Sequence, residues 1–145
     1  MPPIATPQVA AGALFFDDNG RVLLVKPAYK PGWDIPGGFV EPGESPRAAC
    51  TREVREELGL IVDVGELLVV DWAPGAEGDK LLFVFDAGPG HGEIRFADGE
   101  LTEARFVAYD ELDDYPPGRL TRRVRAAIDA KVRGTGIYAE HGQLP

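Results

Sequence analysis

Ser45-Pro46 and Gly59 fix the two ends of a helix whose acidic face constrains the rest of the chain. A serine hydroxyl at the N-cap followed by proline at the first helical position is a start signal. The helix then runs to about Leu58, and Gly59 is its C-terminal stop. Glu53, Glu56 and Glu57 fall within roughly a 100° arc of it, while Thr51, Val54 and Leu58 occupy a neighbouring arc and face a core. Three carboxylates on one face repel one another, so the arrangement costs stability unless a cation joins it. Hard divalent ions take oxygen ligands, and Mg²⁺ is usually held by one or two carboxylates together with substrate phosphates. The spacing therefore suits Mg²⁺ or Mn²⁺ poised to meet a phosphorylated ligand. Arg52, one turn before Glu56, can hydrogen-bond a carboxylate and hold its orientation. Gly37-Gly38 lets the backbone pass close to an ion, where a carbonyl adds a ligand. Taken alone, E-x-x-E-E is most often a solvated acidic face. Gly38, the remote Glu44 and the Arg52-Glu53 pair weigh against that here.

These residues fall into one pattern. Gly38, Glu44, Arg52, Glu53, Val54, Glu56, Glu57, Gly59 and Leu60 satisfy G-x5-E-x7-R-E-U-x-E-E-x-G-U, with U a bulky aliphatic residue. Ordinary residue frequencies give this by chance on the order of 10⁻⁷ or less. The segment resembles the Nudix hydrolase family, MutT-like members included. Trp33-Asp34-Ile35-Pro36-Gly37-Gly38, Leu23-Leu24-Val25, Glu103 to Val107 and Asp110-Glu111-Leu112 extend the resemblance over roughly residues 9 to 115. It implies an α/β/α sandwich on a mixed β-sheet. It implies a hydrolase that cleaves the pyrophosphate bond of a nucleoside diphosphate linked to another group, such as a nucleoside triphosphate, ADP-ribose or a nucleotide sugar. The implied cofactor is Mg²⁺ or Mn²⁺, with Glu53, Glu56, Glu57 and the carbonyl of Gly37 as ligands and Arg52 and Glu44 orienting the site. The implied general base is a glutamate of the box, Glu56, or one on a later loop, Glu100, with Glu103 behind it. Relatives often pair, so a homodimer is an expectation as well.

A chain of 145 residues with 44% hydrophobic content fits one domain, with a loose arm at 1–7 and a tail at 136–145. The net charge of −9 argues against a nucleic-acid polymer as partner, which would call for a basic stripe. It fits a protein that meets a small anionic ligand through metal ions and a few local cations. Cys50 has no internal disulfide partner and reads as a small, half-buried helix residue. Val9 to Phe16 is apolar but lacks basic residues before it, and nothing approaches a membrane span of ~20 apolar residues. A cytoplasmic protein that does not engage membranes is the expectation.

Val9 to Phe16 and Val22 to Lys26 read as strands of a hairpin turned at Asp17-Asp18-Asn19-Gly20. Ile61 to Asp71 reads as a strand bent near Gly65, Ala73 to Lys80 as a polar turn, and Leu81 to Asp86 as a strand. Gly88 to Gly92 is a glycine-rich loop, Ala104 to Ala108 a late strand, and Asp110 to Leu112 a helical turn. Leu120, Val124, Ala127, Ile128 and Val132 have helical spacing, stopped by Gly134. Ile137 to Ala139 reads as either an edge strand or a partner contact.

Lys26, Lys30 and Lys80 flank loops near the expected cleft and are candidates to pair with phosphates. Trp33, Tyr29 and Trp72 are candidates to stack on a base. Ala73-Pro74-Gly75 faintly resembles a stretch of ADP-ribose pyrophosphatases, although Pro-Gly is also a plain turn signal. Two other classes compete. A non-catalytic nucleotide-sensing module on the same scaffold would usually have lost a box glutamate, and this chain keeps all of them. An acidic ion buffer gives no reason for Gly38 or Arg52.

Overall fold

The computed structural model of the chain describes residues 2–90 and 92–145. Its strands are β1 (Gln8–Phe15), β2 (Val22–Pro27), β3 (Gly37–Phe39), β4 (Leu67–Gly75), β5 (Gly78–Gly88), β6 (Leu101–Val107) and β7 (Ile137–Glu140). The helices are α1 (Pro46–Leu58) and α2 (Gly118–Arg133), with a 3₁₀ turn at Tyr109–Asp114. The main sheet has the order β3-β1-β5-β4-β7, and β2 pairs with β6 in a second, two-stranded sheet. β1 runs parallel to β5 and β7 parallel to β4, while β1–β3 and β4–β5 are antiparallel, so the main sheet is mixed.

Period-2 alternation in β1 builds a layer on each side of this sheet. Ala11, Ala13 and Phe15 join Ala49, Cys50, Val54 and Leu58 of α1 in one core. Ala10 and Leu14 join Leu120, Val124, Ala127 and Ala130 of α2 in the other. A helix on each face of a mixed sheet is the α/β/α arrangement expected. Each fully buried Val or Leu in these layers contributes about 1.5–3 kcal/mol of transfer free energy.

Both helix ends expected for α1 are present. The Ser45 hydroxyl accepts from the Ala48 amide at 3.1 Å, and Gly59 takes a left-handed conformation at φ 69°. In α2 the buried stripe departs from the expected one. Val132 is 82% exposed and Ala130 is buried instead, because at 100° per residue Val132 lies roughly 140° round the helix from buried Ala127.

The other differences lie in the strands. The turn at Asp17–Gly20 forms, with Gly20 donating to the Asp17 carbonyl, but it does not make a hairpin ladder. Only Phe16 and Val22 bridge, after which β1 and β2 enter different sheets. Both edges of β1 are already taken by β3 and β5, so β2 pairs with β6. Residues 61–66 are not a strand. β4 starts at Leu67 and runs through Ala73-Pro74-Gly75, and the turn shrinks to Ala76-Glu77. Pro74 and Gly75 are therefore strand residues. β6 starts at Leu101, earlier than expected. Of the expected glycine-rich loop at 88–92, His91 lies outside the described residues.

The tail 136–145 is anchored. β7 adds an edge strand parallel to β4, and Asp71 of β4, fully buried, accepts from Arg123 Nε at 2.8 Å and from the Gly142 amide at 2.7 Å. One carboxylate thus ties sheet, α2 and tail together. Among the described residues, no helix is long and apolar enough to cross a membrane.

Candidate active site

α1 lies against β1 and the edge strand β3, which brings the backbone at Gly37-Gly38 onto the acidic face of the helix. Arg52 spends all of its N–H donors there. Nε and Nη2 fork onto Glu44 at 2.7 and 2.9 Å, and Nη2 also reaches the Phe39 carbonyl at 3.1 Å. Nη1 donates to Glu53 at 2.9 Å and to Glu56 at 3.2 Å. The hydrogen bonds from Arg52 hold the Glu44 carboxyl down to about 2, and the same contacts push the Arg52 pKa above its ordinary value. Glu44 also accepts from the Glu41 amide, which closes the loop between β3 and α1.

Glu57 has no such cation. It is 4% exposed, and Oε1 accepts from the Gly37 amide at 2.7 Å. Burial pushes its carboxyl up to about 8; the Gly37 hydrogen bond opposes the shift, and the charges of Glu53, Asp98 and Glu100 add to it. Burial also raises Glu53, against the pull of Arg52, with Glu56 and Glu100 contributing. The loop bearing Asp98 and Glu100 is tied to the end of α1 by the Arg95 amide, which donates to the Leu58 carbonyl at 2.8 Å. The loop is held there by the Ala28 amide, which donates to the Glu100 carbonyl at 2.8 Å. Asp98 was not singled out from the sequence; its signal was an Asp-Gly turn two residues before Glu100.

Among the described residues, no group of three acidic, histidine or cysteine side chains is disposed to hold an ion. Arg52 draws Glu53 and Glu56 toward itself while Glu57 turns to the Gly37 amide. The donor set nevertheless fits a hard divalent cation. It is all oxygen, and its buried carboxylate has no positive partner because the one nearby guanidinium has no donor left. The backbone leaves room for it as well. A Cβ on Gly38 would stand 2.5 Å from the Glu53 carboxyl.

The two glycines consequently have separable roles. A Cβ on Gly37 would overlap the carbonyl oxygen of Ala11 in β1, and one on Gly38 meets only the mobile end of Glu53. Gly37→Ala should cost on the order of 2–3 kcal/mol of stability by parting β3 from β1. Gly38→Ala should unfold within about 1 kcal/mol of wild type yet lose activity by about tenfold or more as Glu53 is displaced. Urea unfolding beside a turnover assay checks both; the reverse pattern would refute the assignment.

The other candidates divide. A cleft of about 420 Å³ opens beyond β3, lined by Lys30, Trp33, Lys80, Arg119 and Arg123 among others. Lys26 is absent from it, its ammonium held by the Lys30 carbonyl at 3.2 Å. Trp72 sits within β4 and, like the exposed Tyr29, does not line the cleft. Glu103 pairs with Arg105 on β6. Cys50 is fully rather than half buried, and burial pushes its thiol up to about 12, which leaves it inert as a nucleophile. Arg119 and Arg123 of α2 carry no signal in the helical spacing that marks this element, which follows its apolar positions alone.

Cleft and acidic cluster flank the same edge strand. Gly38 pairs with Ala11, whose side belongs to the α1 layer, and Phe39 pairs with Ala10, whose side belongs to the α2 layer. Lys80 stands 5.2 Å from the Phe39 ring.

A family model, the NUDIX domain, matches residues 6–128. The chain is 36% identical over 111 residues to an ADP-ribose pyrophosphatase of Methanocaldococcus jannaschii, covering 73% of this chain and 64% of that one. It is 39% identical over 119 residues to the nucleoside diphosphate-linked moiety X motif 6 protein of Xenopus laevis, covering 77% and 55%. The chain thus spans less than two thirds of the length of these curated relatives. The crystal structure of a MutT NUDIX hydrolase from Burkholderia pseudomallei superposes with a TM-score of 0.71 at 30% identity, covering 86% of this chain and 98% of that one.

Proposed function

The chain belongs to the NUDIX family, and from that membership we propose that it is a divalent-metal-dependent hydrolase cleaving the pyrophosphate bond of a nucleoside diphosphate linked to another group. The observation that carries this reading is that α1 buries a carboxyl group with no cation beside it. Arg52 is saturated by Glu44, Glu53, Glu56 and the Phe39 carbonyl, while Glu57 lies buried with no cation.

Glu53, Glu56 and Glu57, with the carbonyl of Gly37, would hold Mg²⁺ or Mn²⁺. When bound, such an ion supplies neutralisation of phosphate charge and acidification of water. Arg52 keeps Glu53 and Glu56 from swinging apart, and Glu44 keeps Arg52 in place. Glu57 is anchored by the Gly37 amide. Glu56, the most exposed of the cluster, or Glu100 across the cluster takes a proton from the attacking water. The water oxygen bonds to phosphorus as the bridging oxygen departs with the other phosphate. Positioning and charge stabilisation do most of the work in such a transfer.

The test is a panel of nucleoside triphosphates, ADP-ribose, nucleotide sugars and dinucleoside polyphosphates, assayed with Mg²⁺ and with Mn²⁺. Release of a nucleoside monophosphate or a phosphorylated fragment, abolished by a chelator, is the expected result. Thermal stabilisation by these compounds without turnover of any of them would instead identify a sensor.

A further inference from the structure

We propose that the group attached to the scissile diphosphate carries a phosphate of its own, and that the cleft between Trp33, Lys80 and Arg119 receives it. This deepens the hydrolase reading and rests on it for the chemistry at the diphosphate, but it draws on different residues.

The chain has a net charge of −9, yet this cleft gathers Lys30, Lys80, Arg119 and Arg123 against only Asp34 and Glu77. Two of the cations are already used: Arg123 by buried Asp71 at 2.7 Å and Lys30 by Asp34 at 2.9 Å. Among the described residues, neither Lys80 nor Arg119 has an acidic partner within ion-pair distance. The Lys80 ammonium rests over the Phe39 ring instead. Burial, then the positive charges of Arg119, Arg123 and Lys30, pull the Lys80 pKa below its ordinary value against the opposing charge of Asp34, so the surroundings of Lys80 are net positive. α2 begins at Gly118 beside it, and its dipole has the same sign there.

An uncharged sugar would leave these cations partly desolvated and unpaired, which is costly. A base is the weaker fit as well. Trp33, the aromatic side chain lining the cleft, already has Arg105 over its ring at 5.5 Å and meets Tyr115 edge-on at 5.1 Å. A phosphate matches two free cations and a positive field. The register of β3 puts Gly38 on the α1 side and Phe39, over which Lys80 rests, on the α2 side, so a substrate that engages both cluster and cleft must pass round this edge strand. Its distal phosphate belongs either to a longer polyphosphate chain or to a phosphorylated sugar.

Two measurements decide this. In the first, kcat/KM is compared for ATP and diadenosine tetraphosphate, for ADP-ribose 1″-phosphate, whose extra phosphate sits on the distal ribose, and for ADP-ribose and UDP-glucose, which lack the extra phosphate. The phosphate-bearing compounds should be preferred, and Arg119→Gln should lower the ratio of phosphate-bearing to phosphate-free turnover by about tenfold or more. Preference within the first group identifies a polyphosphate chain, and preference for the phospho-sugar identifies the other source. In the second, inorganic tripolyphosphate is titrated calorimetrically into chelator-treated protein, where anion binding does not depend on a metal. It should bind in a salt-sensitive way, weakened about tenfold by Arg119→Gln and by Lys80→Gln. Preference for ADP-ribose or UDP-glucose with a ratio that Arg119→Gln leaves unchanged, or tripolyphosphate affinity indifferent to both substitutions, overturns the proposal. Absence of all turnover would sink the hydrolase reading instead, and the titration would still decide the cleft.

Discussion

Glu57→Gln should lose turnover by about 10³-fold and at the same time make the metal-free protein more stable at pH 8. The two effects share one cause. Burial raises the Glu57 carboxyl from an ordinary value of 4.5 to about 8, so the folded state binds a proton that the unfolded chain has released. Between those values folding takes up a proton, and stability falls as pH rises through the window. Near pH 8 the penalty is on the order of a few kcal/mol, and below pH 4.5 it vanishes. The upward shift of Glu53 adds in the same direction. Glutamine keeps an oxygen for the Gly37 amide but carries no charge to desolvate. In chelator, the variant should therefore melt roughly 5–10 °C above wild type at pH 8 and close to it at pH 5. A saturating divalent ion should raise the wild type and leave the variant largely unmoved. Equal melting of the two proteins in chelator at pH 8, or wild-type turnover by the variant, would remove Glu57 from the centre of the site.

This conflict between stability and charge explains which parts of the site could be read in advance. The acidic arc of α1 and the pairing of Arg52 with Glu56 are local, set by helical period and by the caps at Ser45 and Gly59. The sandwich architecture was legible for the same reason, because alternation in β1 and the spacing of α2 each demand a buried face. What the pattern did not carry was depth. Glu57 and Cys50 lie inside the protein because α1 sinks between β1 and the loop around Arg95, a long-range contact that no local period encodes. Strand pairing was misread where it depended on competition: β2 leaves β1 because β3 and β5 already occupy its edges. The cations of the cleft are dispersed over a loop, β5 and the first turns of α2, and only the packing of α2 on β4, the sheet neighbour of β5, gathers them. Arg119 and Arg123, one turn apart, looked like an ordinary polar helix face. Lys26, although close in sequence to Lys30, is turned onto that residue's carbonyl and misses the cleft.

Removing Arg52 should have the largest effect on folding, because all five of its donors are spent on Glu44, Glu53, Glu56 and the Phe39 carbonyl. Arg52→Ala leaves Glu44 and Glu53, whose side chains are only 16% and 14% exposed, without their cation. Losing this set of charge-assisted hydrogen bonds from one side lowers stability, and the Phe39 carbonyl loses its partner as well. The pH dependence has a definite sign. Glu44 is held down to about 2 in the folded protein against an ordinary 4.5, so its contribution is present above pH 4.5 and is lost as pH falls toward 2. The difference between wild type and Arg52→Ala should accordingly be large at pH 7 and shrink near pH 3. Arg52→Lys separates charge from geometry. A lysine keeps one positive charge among the carboxylates but has no planar fork with which to span Glu44, Glu53 and Glu56 together. It should recover a good part of the stability and little of the turnover, because Glu53 and Glu56 would no longer be held in fixed relation. Urea unfolding at both pH values and turnover at saturating metal provide the measurement. A pH-independent difference for Arg52→Ala would show that Glu44 is not the group being stabilised, and full activity in Arg52→Lys would show that simple positive charge is all the site asks of Arg52.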